Sequence, residues 1–268
     1  MTSDGRYLAF SSRAGNLVKN DRNGQSDVFR VDLQSGECVR VSVSSSAAEG
    51  NDASFSPAIS ADGQRIAFAS RADNLVSGDT NYAIDVFVRD VSSGETTRVS
   101  TSVLGVEGDG MSHEPSISAD GFGVVFRSLA TNLVPGDANQ VADVFVLDLP
   151  SRALSRASVS PNGGEGDGPS GEPALSADGT CVAFTSESSN LVTGDNNGSP
   201  DIFLRDLNAN STVRVSVRSS GLEGFGWQTG SPSISADGRL VAFHSDAGEL
   251  LGGGYLDLAH RGSQRRGA

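Results

Sequence analysis

The chain has 268 residues, 37% of them apolar, which is ample for a packed core, and its longest apolar runs are strand-sized, too short for a membrane-spanning helix. Its 20 basic and 33 acidic residues give a net charge of −13, which argues against nucleic acid as a partner because phosphate binding needs a basic surface. An acidic surface suits solubility or cation binding instead.

Met1 and Thr2 precede Ser3-Asp4-Gly5, with no apolar leader segment before it. Asp-Gly then recurs at Asp62-Gly63, Asp120-Gly121, Asp178-Gly179 and Asp237-Gly238, at steps of 58, 58, 58 and 59 residues. A fixed period of this length means one supersecondary unit copied in tandem. A single active site must then be sought among residues that break the repeat.

Each unit reads as four short strands. The first is Pro57 to Ser60 and its copies at Pro115, Pro173 and Pro232, closed by the Ala-Asp-Gly turn. Asp-Gly between β-prone runs is a strong hairpin signal. The second is Arg65 to Ser70, echoed by Val124-Val125-Phe126, Val182-Ala183-Phe184 and Val241-Ala242-Phe243. The third is Asp85 to Asp90, echoed from Asp27, Asp143 and Asp201, and the fourth is Arg98-Val99-Ser100, echoed from Arg40, Arg156 and Arg214. Val, Ile and Phe crowd these runs and no segment holds a 3.6-residue period, so the fold class is all-β. Strands two and three are apolar on both faces. Such a sheet must be covered on both sides, and radial stacking of four-stranded sheets around an axis, as in a β-propeller, does that. About five blades are expected, three of them complete.

The combination of Ser60-Ala61-Asp62-Gly63-Gln64-Arg65-Ile66-Ala67-Phe68 with Asp85-Val86-Phe87-Val88-Arg89-Asp90 resembles the WD40-like PD40 repeat of TolB-type β-propellers, from Ser3 to about His244. The chain departs from it where Ala replaces the usual Pro before Asp-Gly, and where Asn-Leu-Val-x-Gly-Asp-x-Asn lengthens the joint between strands two and three. The resemblance implies a periplasmic or extracellular interaction scaffold, or a propeller in front of a serine hydrolase. Fold alone does not give function.

Three polar sets repeat. The first is Asp-x-Asn-x-x-x-Asp in the joint before strand three: Asp21/Asn23/Asp27, Asp79/Asn81/Asp85, Asp137/Asn139/Asp143 and Asp195/Asn197/Asp201. Oxygen ligands at this spacing can converge on Ca²⁺; the alternative is that they form Asx-turns tying down a long joint. It is not an EF-hand, since Ser26, Ile84, Ala142 and Pro200 stand where that loop needs Gly. The second set is Glu49-Gly50, Glu107-Gly108, Glu165-Gly166 and Glu223-Gly224, read as a solvated acidic turn or as extra carboxylates for a metal or sugar rim. The third pairs Asp32, Asp90, Asp148 and Asp206 with Arg40, Arg98, Arg156 and Arg214 across the turn between strands three and four, a register-holding role.

Cys38 and Cys181 sit at different repeat positions and are expected as buried or edge thiols. Signatures of catalysis are missing: no Gly-x-Ser-x-Gly, His-Glu-x-x-His or Gly-Lys-Ser/Thr occurs. His113-Glu114 precedes a first strand and could face the channel; the plainer reading is a surface histidine beside a carboxylate. Trp227, where the one extra residue enters the last repeat, suits a ligand platform or interface anchor, or else a plug over a blade edge.

Beyond Glu249 the repeat identity fades, and residues 255–268 read as a tail outside a propeller of residues 1–254. The abnormal ends suggest a fragment or an interrupted repeat; alternatively Tyr255-Leu256-Asp257-Leu258 caps the last blade. The sequence therefore points to a non-enzymatic binding scaffold, engaging a protein or small ligand at a propeller face or channel, with calcium in its joints. The alternatives are the propeller portion of a larger hydrolase, its catalytic part absent, and a carbohydrate-binding protein.

Overall fold

The computed structural model describes residues 1–251 and, as backbone, 260–265. Its building block follows from the turn. Ser60 Oγ donates to Asp62 Oδ1 (2.6 Å), the Gln64 N–H donates to the same oxygen (2.9 Å), and the Arg65 N–H donates to Ser60 Oγ (2.9 Å). Gly63 closes the turn at φ +70°, with the Tyr7 ring packed where a Cβ would lie. The same Ser–Asp lock recurs at Ser118–Asp120, Ser176–Asp178 and Ser235–Asp237.

Five antiparallel sheets follow in chain order. The first holds β1 (Tyr7–Ser12), β2 (Asp27–Asp32) and β3 (Cys38–Arg40). The second holds β4 (Ser54–Ile59), β5 (Arg65–Ser70), β6 (Asp85–Asp90) and β7 (Glu95–Arg98). The third holds β8 (Ser112–Ile117), β9 (Gly123–Ser128), β10 (Asp143–Asp148) and β11 (Ala153–Arg156). The fourth holds β12 (Ser170–Leu175), β13 (Cys181–Ser186), β14 (Asp201–Asp206) and β15 (Ser211–Arg214). The fifth holds β16 (Gly230–Ile234), β17 (Leu240–Ser245) and β18 (His260–Arg265). Register is the same in each copy: Phe68 faces Phe87, Phe126 faces Phe145 and Phe184 faces Phe203.

These sheets stack face to face as propeller blades. Phe68 and Phe87 pack with Val28 and Val41 of the preceding sheet, while Ala67, Val86 and Val88 pack with Phe126 and Phe145 of the next. The phenylalanines stack in pairs, with ring centroids 5.7–5.9 Å apart, and from Phe29 to Phe203 these side chains are 0% exposed. Around the axis the Asp-Gly turns are themselves linked: Ala61 N–H donates to Ala119 O and Ala119 N–H to Ala177 O, both at 2.8 Å. Hence β4, β8, β12 and β16 line the inside.

Four sequence expectations change. The first strand starts earlier, at Ser54, and carries its Pro inside a bulge, between Phe55 and Ala58 in β4 and at the matching places in β8, β12 and β16. Proline is tolerated there because the inner strand is an edge that need not donate at every residue. The fourth strand ends at Arg98 instead of beginning there. The Val99 N–H still donates to Val86 O, but the Ser100 hydroxyl then replaces the ladder, accepting from the Val86 N–H (3.1 Å). Asp90 pairs with Arg65 (3.2 Å) and Asp32 with Arg6 (2.9 Å), so these aspartates do not hold register through Arg98 and Arg40. Finally, the backbone of β18 takes the third-strand place beside β17, where the sequence reading had a tail. Tyr255 to Leu258 and the boundary at 254 lie outside the described residues. Cys38 is half-buried in β3 and Cys181 buried in β13, as expected.

Gly63→Val should destabilise by roughly 3 kcal/mol, since both the positive φ and the Tyr7 ring oppose a side chain. Ala61→Leu, in the same turn but exposed, should stay within about 0.5 kcal/mol. Urea unfolding midpoints of the two variants measure the difference.

Candidate functional site

The first two repeated polar sets converge on the arginine of the third. Arg98, the last residue of β7, places Nη1 3.2 Å from Asp79, 3.4 Å from Asp85 and 2.9 Å from Glu107. Arg156 meets Asp137, Asp143 and Glu165 at 3.5, 3.3 and 3.1 Å, and Arg214 meets Asp195, Asp201 and Glu223 at 2.9, 3.3 and 2.8 Å. In the first repeat oxygens of Asp21, Asp27 and Glu49 lie within 4.8 Å of one another, with Arg40 among them. Each guanidinium is buried, at 7–8% side-chain exposure.

This donor set does not fit calcium. Asn81 Oδ1 accepts from the Ala83 N–H (2.9 Å), while its Nδ2 donates to Asp85 Oδ2 (3.0 Å) and Gly108 O (2.8 Å). The Ser100 hydroxyl donates to the other Asp85 oxygen. Asn23, Asn139 and Asn197 repeat this pattern. The Asn81 oxygen and both Asp85 oxygens are therefore engaged by protein donors, and a guanidinium already supplies positive charge to the set. Glu107 and its copies are not solvated turns either. Asn132 Nδ2, from the next blade's joint, donates to Glu107 O (2.9 Å), so the glutamate loop ties neighbouring blades together.

One guanidinium shared by three carboxylates leaves net negative charge in a buried place. Burial first, then the neighbouring Asp85, pushes Asp79 up to about 6 against the pull of Arg98. Asp195 is also pushed up to about 6, by burial first, with Arg214 opposing.

The positions that break the repeat assemble elsewhere. Register pairs His113 with Arg127, Gly171 with Thr185, and Gly230 with His244, where the second blade has Phe55 and Ala69. One residue on, Ser56, Glu114, Glu172 and Ser231 occupy the bulges at φ +51°, +55°, +51° and +49°. This left-handed conformation is uncommon for side-chain-bearing residues. It turns two carboxylates towards the next blade: Glu114 Oε2 accepts from the Glu172 N–H (2.8 Å), and Glu172 Oε2 accepts from the Ser231 N–H. Burial opposes the charge on Glu114, but His113, the Glu172 N–H and Arg127 hold its carboxyl below the ordinary range.

Arg127, Glu172, Thr185, Gln228 and His244 line a cleft of about 440 Å³ at the inner strands of the fourth and fifth sheets. Gly171 and Gly230 keep it open: a Cβ would come 2.9 Å from Arg127 Cδ at one and 2.7 Å from a Glu172 oxygen at the other. Trp227 adjoins Gln228 and stands 77% exposed, with Phe225 at 59% beside it. Gln228 N–H donates to Asp246 Oδ1 (3.0 Å), which anchors this loop. The sequence reading singled out Trp227 and His113-Glu114 but passed over Arg127, Glu172 and Thr185. Aligning the copies on the column Ala69/Arg127/Thr185/His244 would have found Arg127 and Thr185, since a structural position would not change chemistry at every turn.

No protein-family model and no curated protein matches the chain. Solved structures do. TolB from Acinetobacter baumannii is 20% identical over 91% of this chain, with a TM-score of 0.53, and a TolB from Agrobacterium tumefaciens is 18% identical over 92%, with a TM-score of 0.56. Dipeptidyl peptidase 4 from Porphyromonas gingivalis matches at 13% identity over 91% of the chain, with a TM-score of 0.51. The chain spans 48% of the first protein's length, 69% of the second's and 35% of the third's. The fold is a TolB-like β-propeller.

Arg98→Leu should cost about 3–5 kcal/mol, because it strands three carboxylates in a buried place. Thermal melts of the parent in millimolar calcium and in chelator should coincide; a rise with calcium would restore a metal role. The folded Asp79 value, about 6, lies above its ordinary 3.8, so the folded state keeps this proton and loses that advantage as pH rises through the interval. Asp79→Asn, which cannot ionise, should gain on the parent as pH rises from about 4 to about 6.5, read from denaturation at each pH.

Proposed function

We propose that this TolB-like β-propeller is a non-enzymatic binding scaffold whose ligand seats in the inner cleft between the fourth and fifth sheets. The observation that carries this reading is the placement of repeat-breaking polar residues, Arg127, Glu172, Thr185 and His244, around one open cleft beside the exposed Trp227. Clefts of a few hundred cubic ångströms with a few convergent polar groups are the usual form of small-ligand sites. Thr185 Oγ1 donates to Glu172 Oε2 (2.9 Å), an arrangement that orients the carboxylate and also links β13 to the bulge. The resemblance to TolB-type repeats adds the expectation of a periplasmic or extracellular setting. The fold likeness to a peptidase that is longer than this chain supports a second reading, in which the cleft serves a propeller within a larger hydrolase.

A panel of small water-soluble compounds, titrated while amide resonances are followed by NMR, tests the cleft. Binders should perturb Gly171, Glu172, Thr185, Gln228 and Gly230 together. Perturbations that cluster on the outer strands β7, β11 and β15, or none across the panel, would overturn the reading.

A further inference from the structure

Arg127 differs from every clamp arginine. Arg98, Arg156 and Arg214 each serve three carboxylates, whereas Arg127 has one, Glu114, at 3.7 Å and outside hydrogen-bond range. That carboxylate is already engaged by His113 Nδ1 (3.2 Å) and by the Glu172 N–H (2.8 Å). Among the described residues Arg127 makes no side-chain hydrogen bond, and its Nε is shielded from solvent with no partner. A guanidinium has five donors in a planar fork, and leaving them unpaired as water is excluded is costly. The scaffold does not require the residue, since Ala69 and Thr185 fill the same register position in neighbouring blades.

The side chain lies over Gly171, whose missing Cβ would come within 2.9 Å of Arg127 Cδ and 3.2 Å of Nε. The next lining carboxylate is Glu172, where Oε2 accepts from Thr185 Oγ1 and the Ser231 N–H. Its Oε1 accepts no hydrogen bond among the described residues. Among the described residues the cleft thus presents, along one wall, a guanidinium with no protein hydrogen-bond partner and one shielded donor, Nε, and a solvent-facing carboxylate oxygen that no protein donor occupies.

We infer that the cleft binds a small organic carboxylate, held by Arg127 and bearing a hydroxyl or amide N–H that donates to Glu172. This deepens the binding-scaffold reading and rests on it. Carboxylate recognition by guanidinium is bidentate and charge-assisted, and Lys does not reproduce the fork. The ligand's N–H or O–H gives Glu172 Oε1 the donor that the protein does not supply. Neutral analogues would leave the fork unpaired, so discrimination should fall on the carboxylate.

N-acetylglycine and N-acetylglycinamide differ in that group alone and serve as probes, with emission from Trp227 and calorimetry as readouts. The acid should bind the parent, and the amide should bind at least roughly tenfold more weakly. Arg127→Gln should lose at least roughly tenfold for the acid while its melting temperature stays near the parent's, and Arg127→Lys should recover part of that loss. Glu172→Gln should weaken N-acetylglycine more than acetate, which has no N–H. Equal binding of acid and amide, unchanged binding by Arg127→Gln, or no binding of lactate, succinate or N-acetylglycine at millimolar concentration would each overturn the assignment. If neutral compounds from the wider panel still perturb the cleft amides, the scaffold reading survives and the carboxylate assignment alone falls.

Discussion

A four-stranded sheet with phenylalanine on one face and valine on the other cannot stand in water by itself, and every feature of this molecule follows from covering both faces. Each Phe pair lies against the preceding sheet and each Val pair against the following one, so the copies must stack in order. Burying one such side chain is worth roughly 1.5–3 kcal/mol, and six phenylalanines, Phe68 to Phe203, are fully buried in these contacts. No single sheet could hold its shape alone. The repeat is therefore a physical requirement as well as a record of duplication.

Stacking leaves two places where polar groups must be dealt with. On the outer side of the joints, long segments between strands two and three would carry orphaned backbone groups, and the Asp–Asn–Arg–Glu clamp satisfies them. Asn81 bridges its own joint to the Gly108 carbonyl, Glu107 meets Arg98, and Asn132 brings in the next blade. On the inner side the strands are edges, and there the bulges before each proline turn Glu114 and Glu172 across the blade boundary. The clamp repeats without variation in its charged partners, while the inner column does not. Chemistry that differs from blade to blade is confined to the place where stacking exerts least control.

Much of the fold was legible because its signals are local. Asp-Gly turns, alternating Val and Phe, and a constant period fixed strands two and three to the residue in the second repeat. Strand four was misplaced because Ser100 takes the ladder position of a backbone group, a substitution that looks like ordinary strand sequence. The joints were recognised as a converging oxygen set, but not what they converge on. Arg98 lies thirteen residues after Asp85, and only the β6–β7 hairpin brings the two together. The cleft was harder still. Arg127 and Glu172 come from different blades, and neither has a local motif that announces a site. Their contact with one space depends on the inner strands lying side by side.

The clamp's choice of base has a consequence for the conditions under which the molecule holds together. A guanidinium keeps its charge at any pH that leaves the peptide chain intact, so alkali cannot strip these joints of their cation. An ammonium in the same place would be discharged in strong alkali. The titratable partners are the carboxylates, and they pull in opposite directions: burial raises Asp79 and Asp195, whose protonated forms the fold favours, while Glu107 and Glu223 are held low and lose their hold as acid protonates them. The clamp's response to pH is thus confined to the range in which carboxylates titrate, and a lysine in place of Arg98 would add an alkaline one.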